Sequence, residues 1–209
     1  MRTKTMLLAA AIAVGMGGAT QAATVTNGSF ENTPGFNGSR NWQVYNSIDG
    51  WSTDSGAGIE IQSNATLGGI DAQDGDKYVE LDSHGKNSNS KMSQSIYFDA
   101  GSYKLSFYYA PRIANSNSNG IEFSVGDFLL DSVSGPNGEH PRLAWTLVQR
   151  VFNVDIAGSY DLSFAATGKQ DTLGGLIDNV SVAAVPLPAS ALLLLGGLGA
   201  FGAMRRKKS

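Results

Sequence analysis

The chain has 209 residues, with 26 glycines and no cysteine, so disulfide bonds cannot contribute to its stability. Six of its 15 Lys and Arg residues lie in the two terminal segments, whereas all 18 Asp and Glu residues lie between them. The central part therefore has 9 positive and 18 negative residues, a net charge of −9. This charge argues against nucleic-acid binding, which requires a basic face.

Residues 1–22 are typical of a secretory signal peptide. Arg2 and Lys4 provide a basic start, residues 6–14 are apolar, and the small residues near position 22 suit cleavage. The segment is short and rich in glycine for a membrane span, so we expect export and removal of these residues. A first membrane anchor is the alternative.

Short alternating segments joined by turn residues dominate the central part of the chain. In residues 77–82, for example, Val79 and Leu81 share one face. A slip of this phase at Gly126 predicts a bulge within one strand, and residues 33–50 are predicted to form a loop. The pattern predicts strands at residues 24–31, 59–61, 77–82, 92–98, 102–110, 121–130, 148–154, 159–166 and 176–182.

Two segments nearly repeat each other. Residues 101–107 read Gly-Ser-Tyr-Lys-Leu-Ser-Phe, and residues 158–164 read Gly-Ser-Tyr-Asp-Leu-Ser-Phe. Each follows a predicted strand and a short turn, so the pattern predicts two equivalent hairpins at 92–110 and 148–166. Two copies are too few for a repeat architecture, which needs roughly three or more units.

Many short strands, glycine-rich turns and no helical periodicity predict an all-β fold. We expect an antiparallel β-sandwich of the jelly-roll type. An immunoglobulin-like sandwich is the alternative, although the Cys and Trp spacing of antibody domains is absent. The chain then divides into a signal peptide (1–22), a β-sandwich domain (23–184) and a C-terminal segment (185–209).

The C-terminal segment combines a proline motif, an apolar stretch and a basic end. Residues 187–204 carry no charge, and about 18 apolar residues can cross a bilayer as a helix. The basic residues 205–208 follow, and the positive-inside bias keeps such residues in the cytoplasm. The pattern therefore predicts a transmembrane helix with the β-sandwich domain on the outer side.

These three features, in this order, resemble the PEP-CTERM family of sorting signals. The motif is the variant Val185-Pro186-Leu187-Pro188-Ala189, in which Leu187 stands where Glu is common, so the subtype of the processing enzyme stays open. The resemblance implies an inner-membrane-anchored precursor, processing by an exosortase-type transpeptidase, and a final location at the cell surface or in the extracellular space, either attached or released. It also implies a Gram-negative bacterium that makes exopolysaccharide, with a biofilm matrix as the setting.

Five further motifs, in order, resemble the galactose-binding-like jelly-roll superfamily and its carbohydrate-binding modules. In that family the first and last strands share a structural calcium ion, and Glu31 and Asp178 match its carboxylate positions. The resemblance therefore implies calcium at Glu31 and Asp178, where carboxylate oxygens suit the ion. Strand-end residues that bind the backbone are the alternative. The motifs lie at residues 27–31, 50–51, 74–81, 94–107 and 177–182.

Aromatic side chains, loop amides and one arginine provide candidate sugar contacts. Sugar rings stack on aromatic rings, while their hydroxyl groups need hydrogen-bond partners. The alternative is that these residues belong to the core or to solvated turns. The candidates are Trp42, Tyr45, Trp51, Trp145, Asn87, Asn89, Asn115, Asn117 and Arg112.

No catalytic motif stands out in the sequence. Glu80 and Asp82 share a strand face, but isolated acidic residues on strands are more often structural, and nucleophile elbows and zinc-protease motifs are absent. We expect an exported non-catalytic surface or extracellular-matrix protein with carbohydrate as its candidate ligand. The alternatives are an extracellular polysaccharide-active enzyme on a jelly roll and a calcium-stabilised domain that binds no sugar.

Overall fold

The structure is a computed structural model that describes residues 23–37, 40–114 and 117–186. The predicted signal peptide and transmembrane helix lie outside these residues. The described part holds no helix of the length and apolarity needed to span a membrane. Its strands are Trp42–Tyr45 (β1), Ser47–Ile48 (β2), Trp51–Ser55 (β3), Ile59–Ser63 (β4), Lys77–Glu80 (β5), Lys91–Phe98 (β6), Gly101–Pro111 (β7), Gly120–Val125 (β8), Leu129–Val133 (β9), Thr146–Val154 (β10), Gly158–Thr167 (β11) and Gly175–Ala184 (β12).

The strands form two antiparallel sheets that enclose one apolar core. The first sheet has the order β1-β4-β5-β12-β7-β10, and the second has the order β2-β3-β6-β11-β8-β9. Both sheets contribute residues to the same buried cluster. This arrangement confirms the predicted all-β sandwich.

Aromatic residues at alternate positions fill the space between the sheets. Phe107 of β7 and Phe164 of β11 have no exposed surface, and their ring centroids lie 5.1 Å apart. Phe123 of β8 contacts Phe107 at 4.9 Å. Such edge-to-face pairs add to the free energy that burial of the rings supplies. The near-repeats of the sequence thus meet at their phenylalanines across the core.

The two near-repeats do not form hairpins, so this prediction was wrong. β6 lies in the second sheet and β7 in the first, and β10 and β11 are divided in the same way. β7 pairs with β10, and β6 pairs with β11. Each short turn therefore crosses from one sheet to the other. Because both strands of a unit have a buried apolar face, the crossing brings these faces together across the core.

Other strand predictions also need correction. Residues 24–31 form turns rather than a strand, and this segment lies against β12, where the Val180 N–H donates to Gly28 O at 2.8 Å. A Cβ atom on Gly28 would lie 2.0 Å from Val180 O, so this approach requires glycine.

Two further differences concern how the chain divides into strands. Residues 121–130 contain two strands, β8 and β9, because Gly126 has a positive φ and turns the chain instead of forming a bulge. β1 and β2 lie in the predicted loop 33–50, and β3 follows immediately. The side chains of β1 are all partly exposed, and Trp51 is the single buried residue of β3, so neither strand shows the alternation that reveals a strand.

A smaller apolar cluster covers part of the outer face of the first sheet. It contains Ile70, Tyr78, Ala110 and Leu176, with Trp145 packed against it. The loop between β4 and β5 contributes Ile70, and the segment before β10 contributes Trp145. These segments divide the outer face into a covered centre and an open edge at β1.

We expect Phe107→Ala to reduce the free energy of unfolding by about 3–5 kcal/mol, because it removes a fully buried ring and leaves a cavity. The control is Tyr97→Ala, at a 42% exposed aromatic on the outer face of the second sheet, for which we expect less than about 1 kcal/mol. Urea denaturation measures both changes. Equal losses in the two variants would contradict the assignment of the core.

Candidate functional site

A row of polar side chains is buried on the outer face of the first sheet. Glu60 and Glu80 are direct cross-strand partners, and neither they nor the neighbouring Gln62 has exposed surface. Gln62 Nε2 donates to Glu60 Oε1 at 2.8 Å and also to Glu80 Oε2. The Arg112 guanidinium forms an ion pair with Glu80. Burial nevertheless raises the pKa of Glu80 to about 8, with Arg112 acting to lower it.

Glu80 and Asp82, which share a strand face in the sequence, both hold the loop at residues 171–174. Asp82 Oδ2 accepts hydrogen bonds from the backbone N–H groups of Asp171 at 3.0 Å and Leu173 at 3.1 Å. Glu80 Oε1 accepts one from the Gly174 N–H. Both carboxylates have no exposed surface. Their geometry is that of loop anchors.

Glu60 connects this buried row with the surface through His84. Its Oε2 atom accepts a hydrogen bond from the His84 backbone N–H at 2.7 Å and lies 2.7 Å from the ring atom Nδ1. The ring stacks on the indole of Trp42, with centroids 4.0 Å apart and planes 15° apart. Trp42 lies on the edge strand β1. The buried Glu60 carboxylate fixes the His84 ring, and this ring in turn orients the Trp42 indole.

An open cleft lies beside Trp42. Its volume is about 440 Å³, within the range of roughly 300–1,000 Å³ that is common for ligand sites. The Arg40 guanidinium carbon lies 6.0 Å from the centroid of the Trp42 ring. An aromatic face beside guanidinium and amide groups can stack on a sugar ring and bind its hydroxyl groups. The lining residues are Asn37, Arg40, Trp42, Gln43 and Val44.

Three other candidate sugar contacts have structural partners. Tyr45 packs against the main core, and Arg112 is paired with buried Glu80. The Trp145 Nε1–H donates to Asp71 O at 2.6 Å, and its ring lies edge-on to another ring of the smaller cluster. Each of these side chains is only partly exposed, and none of them lines the cleft beside Trp42.

The asparagine candidates lie mainly in loops. Asn87 is exposed in the same loop as His84, and it has a φ of 54°. Asn89 Nδ2 donates to Gly168 O at 3.0 Å. Asn117 is exposed, and Asn115 lies outside the described residues. Trp51, in contrast, is 1% exposed and belongs to the core.

Sequence reasoning found Trp42 but missed Arg40, Gln43 and His84. Arg40 and Gln43 lie within two residues of Trp42 in the sequence, so their closeness to this aromatic residue could have indicated a shared site. The stack of His84 on Trp42 joins residues that are far apart in the chain. No local pattern indicates such a contact, because it depends on the pairing of β1 with β4.

Glu31 and Asp178 hold one loop from two sides. Glu31 Oε1 accepts hydrogen bonds from the backbone N–H groups of residues 76 and 77, at 2.8 and 2.7 Å. Asp178 Oδ2 accepts bonds from those of residues 73 and 74, at 2.7 and 3.0 Å. The Lys77 ammonium lies 3.6 Å from Glu31 Oε2. The segment before β1 and the last strand, β12, are therefore both tied to the loop before β5.

This geometry matches backbone binding, the alternative to a calcium site at Glu31 and Asp178. Calcium needs about six to eight oxygen ligands, whereas the loop presents N–H donors to both carboxylates. In residues 23–37, 40–114 and 117–186, no three His, Cys, Asp or Glu side chains are grouped to hold a metal ion. Calcium at this pair stays a prediction.

β12 continues directly into the proline motif. The Val185 N–H donates to Ser102 O at 2.8 Å, so pairing with β7 extends one residue past Ala184. Pro186 is the last described residue of this segment, and the other motif residues, Leu187, Pro188 and Ala189, lie outside the described part. The domain and the motif therefore meet without a linker.

Residues 184–208 match the family model of the PEP-CTERM protein-sorting motif. The match confirms the resemblance seen at residues 185–209, and the chain is an exported protein with a C-terminal sorting signal. An exosortase-type system processes such a signal. No curated protein sequence matches the chain.

Solved structures with similar folds include proteins bound to sugars. An arabinose-bound MgGH51 α-L-arabinofuranosidase matches 80% of this chain at 11% identity and a TM-score of 0.51, and the chain spans 27% of that protein. The module TmCBM61 with β-1,4-galactotriose matches 76% of this chain at 20% identity and a TM-score of 0.45, and the match covers 96% of the module. A carbohydrate-binding module of Cellvibrio mixtus lichenase 5A with cellotriose matches 64% of this chain at 17% identity and a TM-score of 0.40. That match covers 92% of the module. The first match, at 11% identity, supports a likeness of fold alone, and the other two have TM-scores below 0.5 and support no further conclusion.

The raised pKa of Asp178 predicts that the stability of the fold depends on pH. Burial raises its pKa from 3.8 to about 7, against the opposing effect of backbone N–H groups. The folded state therefore keeps a proton that the unfolded chain has lost between these pH values. Stability should fall as pH rises through this window, by up to about 1.4 kcal/mol per pH unit from this group.

We expect a smaller pH slope in Asp178→Asn, since the asparagine does not titrate. Urea denaturation in EDTA from pH 4 to pH 8 measures the slope, and Asp155→Asn in the exposed turn after β10 is the control. An unchanged slope in Asp178→Asn would show that this carboxylate is not desolvated.

Proposed function

We propose that the domain is a non-catalytic carbohydrate-binding protein of the cell surface or extracellular matrix, with its sugar site in the cleft beside Trp42. The observation that carries the proposal is the stack of His84 on Trp42, which Glu60 fixes from beneath. The stack covers one face of the indole with protein. The cleft gives a ligand access to Trp42 from solvent.

A fixed aromatic platform favours sugar binding for an entropic reason. A free tryptophan side chain loses rotational freedom when a ligand immobilises it, and this loss reduces affinity. Here the fold has already immobilised Trp42. Arg40 and the amide of Gln43 line the same cleft, and their donors suit sugar hydroxyl groups. The cleft lies at a sheet edge and is open, which suits the interior of a long polysaccharide such as an exopolysaccharide.

The state of the carboxylates supports a non-catalytic role. Glycoside hydrolysis needs two carboxyl groups that face the substrate, roughly 5 to 10 Å apart. Glu60, Glu80 and Asp82 are the nearby candidates in the first sheet, and all three are buried and hydrogen-bonded to the protein. They therefore lack the access to substrate that an acid and a nucleophile require.

The sorting signal supplies the route to the site of action. The proposed precursor is anchored in the inner membrane by the C-terminal segment, and an exosortase-type transpeptidase then transfers it to the cell surface or the extracellular space. In a Gram-negative bacterium that produces exopolysaccharide, the matrix of a biofilm would contain both the protein and its ligand. Calcium at Glu31 and Asp178 would add stability in that setting.

Trp42→Ala should weaken polysaccharide binding by about 30-fold or more, the loss that corresponds to about 2 kcal/mol at a binding hot spot. Affinity electrophoresis of the full chain against a polysaccharide panel identifies a ligand, and calorimetry measures the change. His84→Ala should weaken binding less, because it frees the indole without removing it.

The control is Tyr97→Ala, which removes an exposed aromatic from the opposite sheet and should bind as the wild type does. Wild-type affinity in Trp42→Ala would place any sugar site elsewhere. Release of reducing ends from a polysaccharide by the wild-type protein would contradict the non-catalytic role.

A further inference from the structure

Three side-chain oxygen atoms near the end of β5 are buried without a hydrogen-bond partner. They are Asp82 Oδ1, Asn89 Oδ1 and Asp171 Oδ1. A buried acceptor without a partner costs about 1–3 kcal/mol, and more when it is charged. Three such atoms on neighbouring residues therefore indicate a place where a ligand can bind.

Backbone and side-chain contacts bring these residues together. Asp82 and Asn89 are paired by an isolated antiparallel bridge that closes the loop between them. The Asp171 N–H donates to Asp82 Oδ2 at 3.0 Å. The Asn89 amide binds Gly168 O at 3.0 Å, so it joins the same loop as Asp171.

In both carboxylates the Oδ2 atom already has donors, whereas the Oδ1 atom has none. Asp82 Oδ2 accepts two backbone N–H bonds from the 171–174 loop. Asp171 Oδ2 accepts a bond from Ser118 Oγ at 3.0 Å and lies 3.1 Å from Lys169 Nζ. These contacts fix the orientation of each group. Asp82 is fully buried, while the Asp171 side chain is 16% exposed, so the site lies close to the surface.

Further contacts hold the 171–174 loop in one conformation. The Arg112 guanidinium donates to Thr172 O at 3.1 Å. Thr172 has a φ of 63°, which a β-branched residue rarely adopts. A Cβ atom on Gly174 would lie 2.6 Å from Asp82 Cβ, so only glycine permits this approach. The free oxygens are therefore arranged before any ligand arrives, which lowers the entropic cost of binding.

We propose that Asp82, Asn89 and Asp171 form a binding site for a calcium ion. All three free atoms are oxygens, two of them from carboxylates, and this is the ligand type that calcium prefers. An oxygen-only set disfavours zinc and copper, which prefer nitrogen or sulfur ligands. Lys169 is 63% exposed and its ammonium lies 3.1 Å from Asp171 Oδ2, so solvent screens its repulsion of the ion. Calcium takes about six to eight oxygen ligands, so water would have to supply those beyond these three.

This site differs from the predicted pair Glu31 and Asp178 in its chemistry. Backbone N–H groups bind carboxylate oxygens at both sites, but only here are second carboxylate oxygens, Asp82 Oδ1 and Asp171 Oδ1, buried without a partner. The two sites also lie on different loops. Calcium at Asp82, Asn89 and Asp171 would join the loop 83–88 to the loop 168–174.

Calorimetric titration of the full chain in detergent with calcium chloride, after removal of divalent ions with EDTA, tests the proposal. Asp171→Asn keeps the shape and partial exposure of the side chain but removes its charge. We expect its calcium affinity at this site to fall by at least about 10-fold, a loss that even outer-shell substitutions cause at metal sites. The calcium-dependent rise in Tm should fall in parallel. Asp155→Asn, in the exposed turn after β10, is the control and should bind as the wild type does.

A second pair of variants separates the two sites. Glu31→Gln and Asp178→Asn should leave binding at the new site intact, and a cooperative thermal transition in EDTA verifies that each variant is folded. The proposal is overturned if the wild type binds no calcium up to about 1 mM, the weak end of protein calcium sites. It is also overturned if Asp171→Asn keeps wild-type stoichiometry and affinity while Glu31→Gln loses binding.

Discussion

Hydrogen bonds from backbone N–H groups to buried or half-buried carboxylates hold the loops of this sandwich in place. Glu31 and Asp178 bind the loop before β5, Glu80 and Asp82 bind the loop before β12, and Glu60 binds the backbone of the loop after β5. Glu60, Glu80 and Asp178 project from strands, Asp82 follows the end of β5, and Glu31 lies in the turn segment before β1. Carboxyl acceptors thus determine the loop conformations.

This arrangement suits an exported domain without cysteine. Disulfides would stabilise loops by restricting the unfolded chain, whereas a buried carboxylate stabilises only the folded loop. The carboxylates have an energetic cost, since burial disfavours their charged form and the pKa values of Glu80 and Asp178 rise accordingly. Loops held in this way remain ordered in the absence of ligand. The stack of His84 on Trp42 is one result, because Glu60 orients the histidine ring.

Much of the fold follows from local alternation, whereas the division into sheets does not. Val79, Leu81 and the aromatic residues of β7 are buried as their period predicts. The same period fits a hairpin and a crossing between sheets equally well, so the near-repeats at 101–107 and 158–164 suggested the wrong pairing. Whether the chain forms a hairpin or crosses between sheets depends on contacts between strands distant in sequence, such as that between Phe107 and Phe164.

The candidate sites divide in a similar way. Trp42 stands out in the sequence as an aromatic residue in a predicted loop. Glu31 and Asp178 stand out because they match the carboxylate positions of the family that the sequence resembles. His84, Asn89 and Asp171 do not, since isolated polar residues in loops have no periodicity and their partners are distant in sequence. Asp82 Oδ1 lacks a hydrogen-bond donor because of how distant segments pack around it, and the sequence does not encode this packing locally.

The direct passage of β12 into the sorting motif has a mechanical consequence. β12 lies inside the first sheet, between β5 and β7, and Val185 is still paired with Ser102. Tension on an attached C-terminus would act along this strand and load its hydrogen bonds in shear. A polysaccharide held at β1 would pull on the edge of the same sheet. The load would then pass through β4 and β5, so the first sheet alone would connect the ligand to the attachment point.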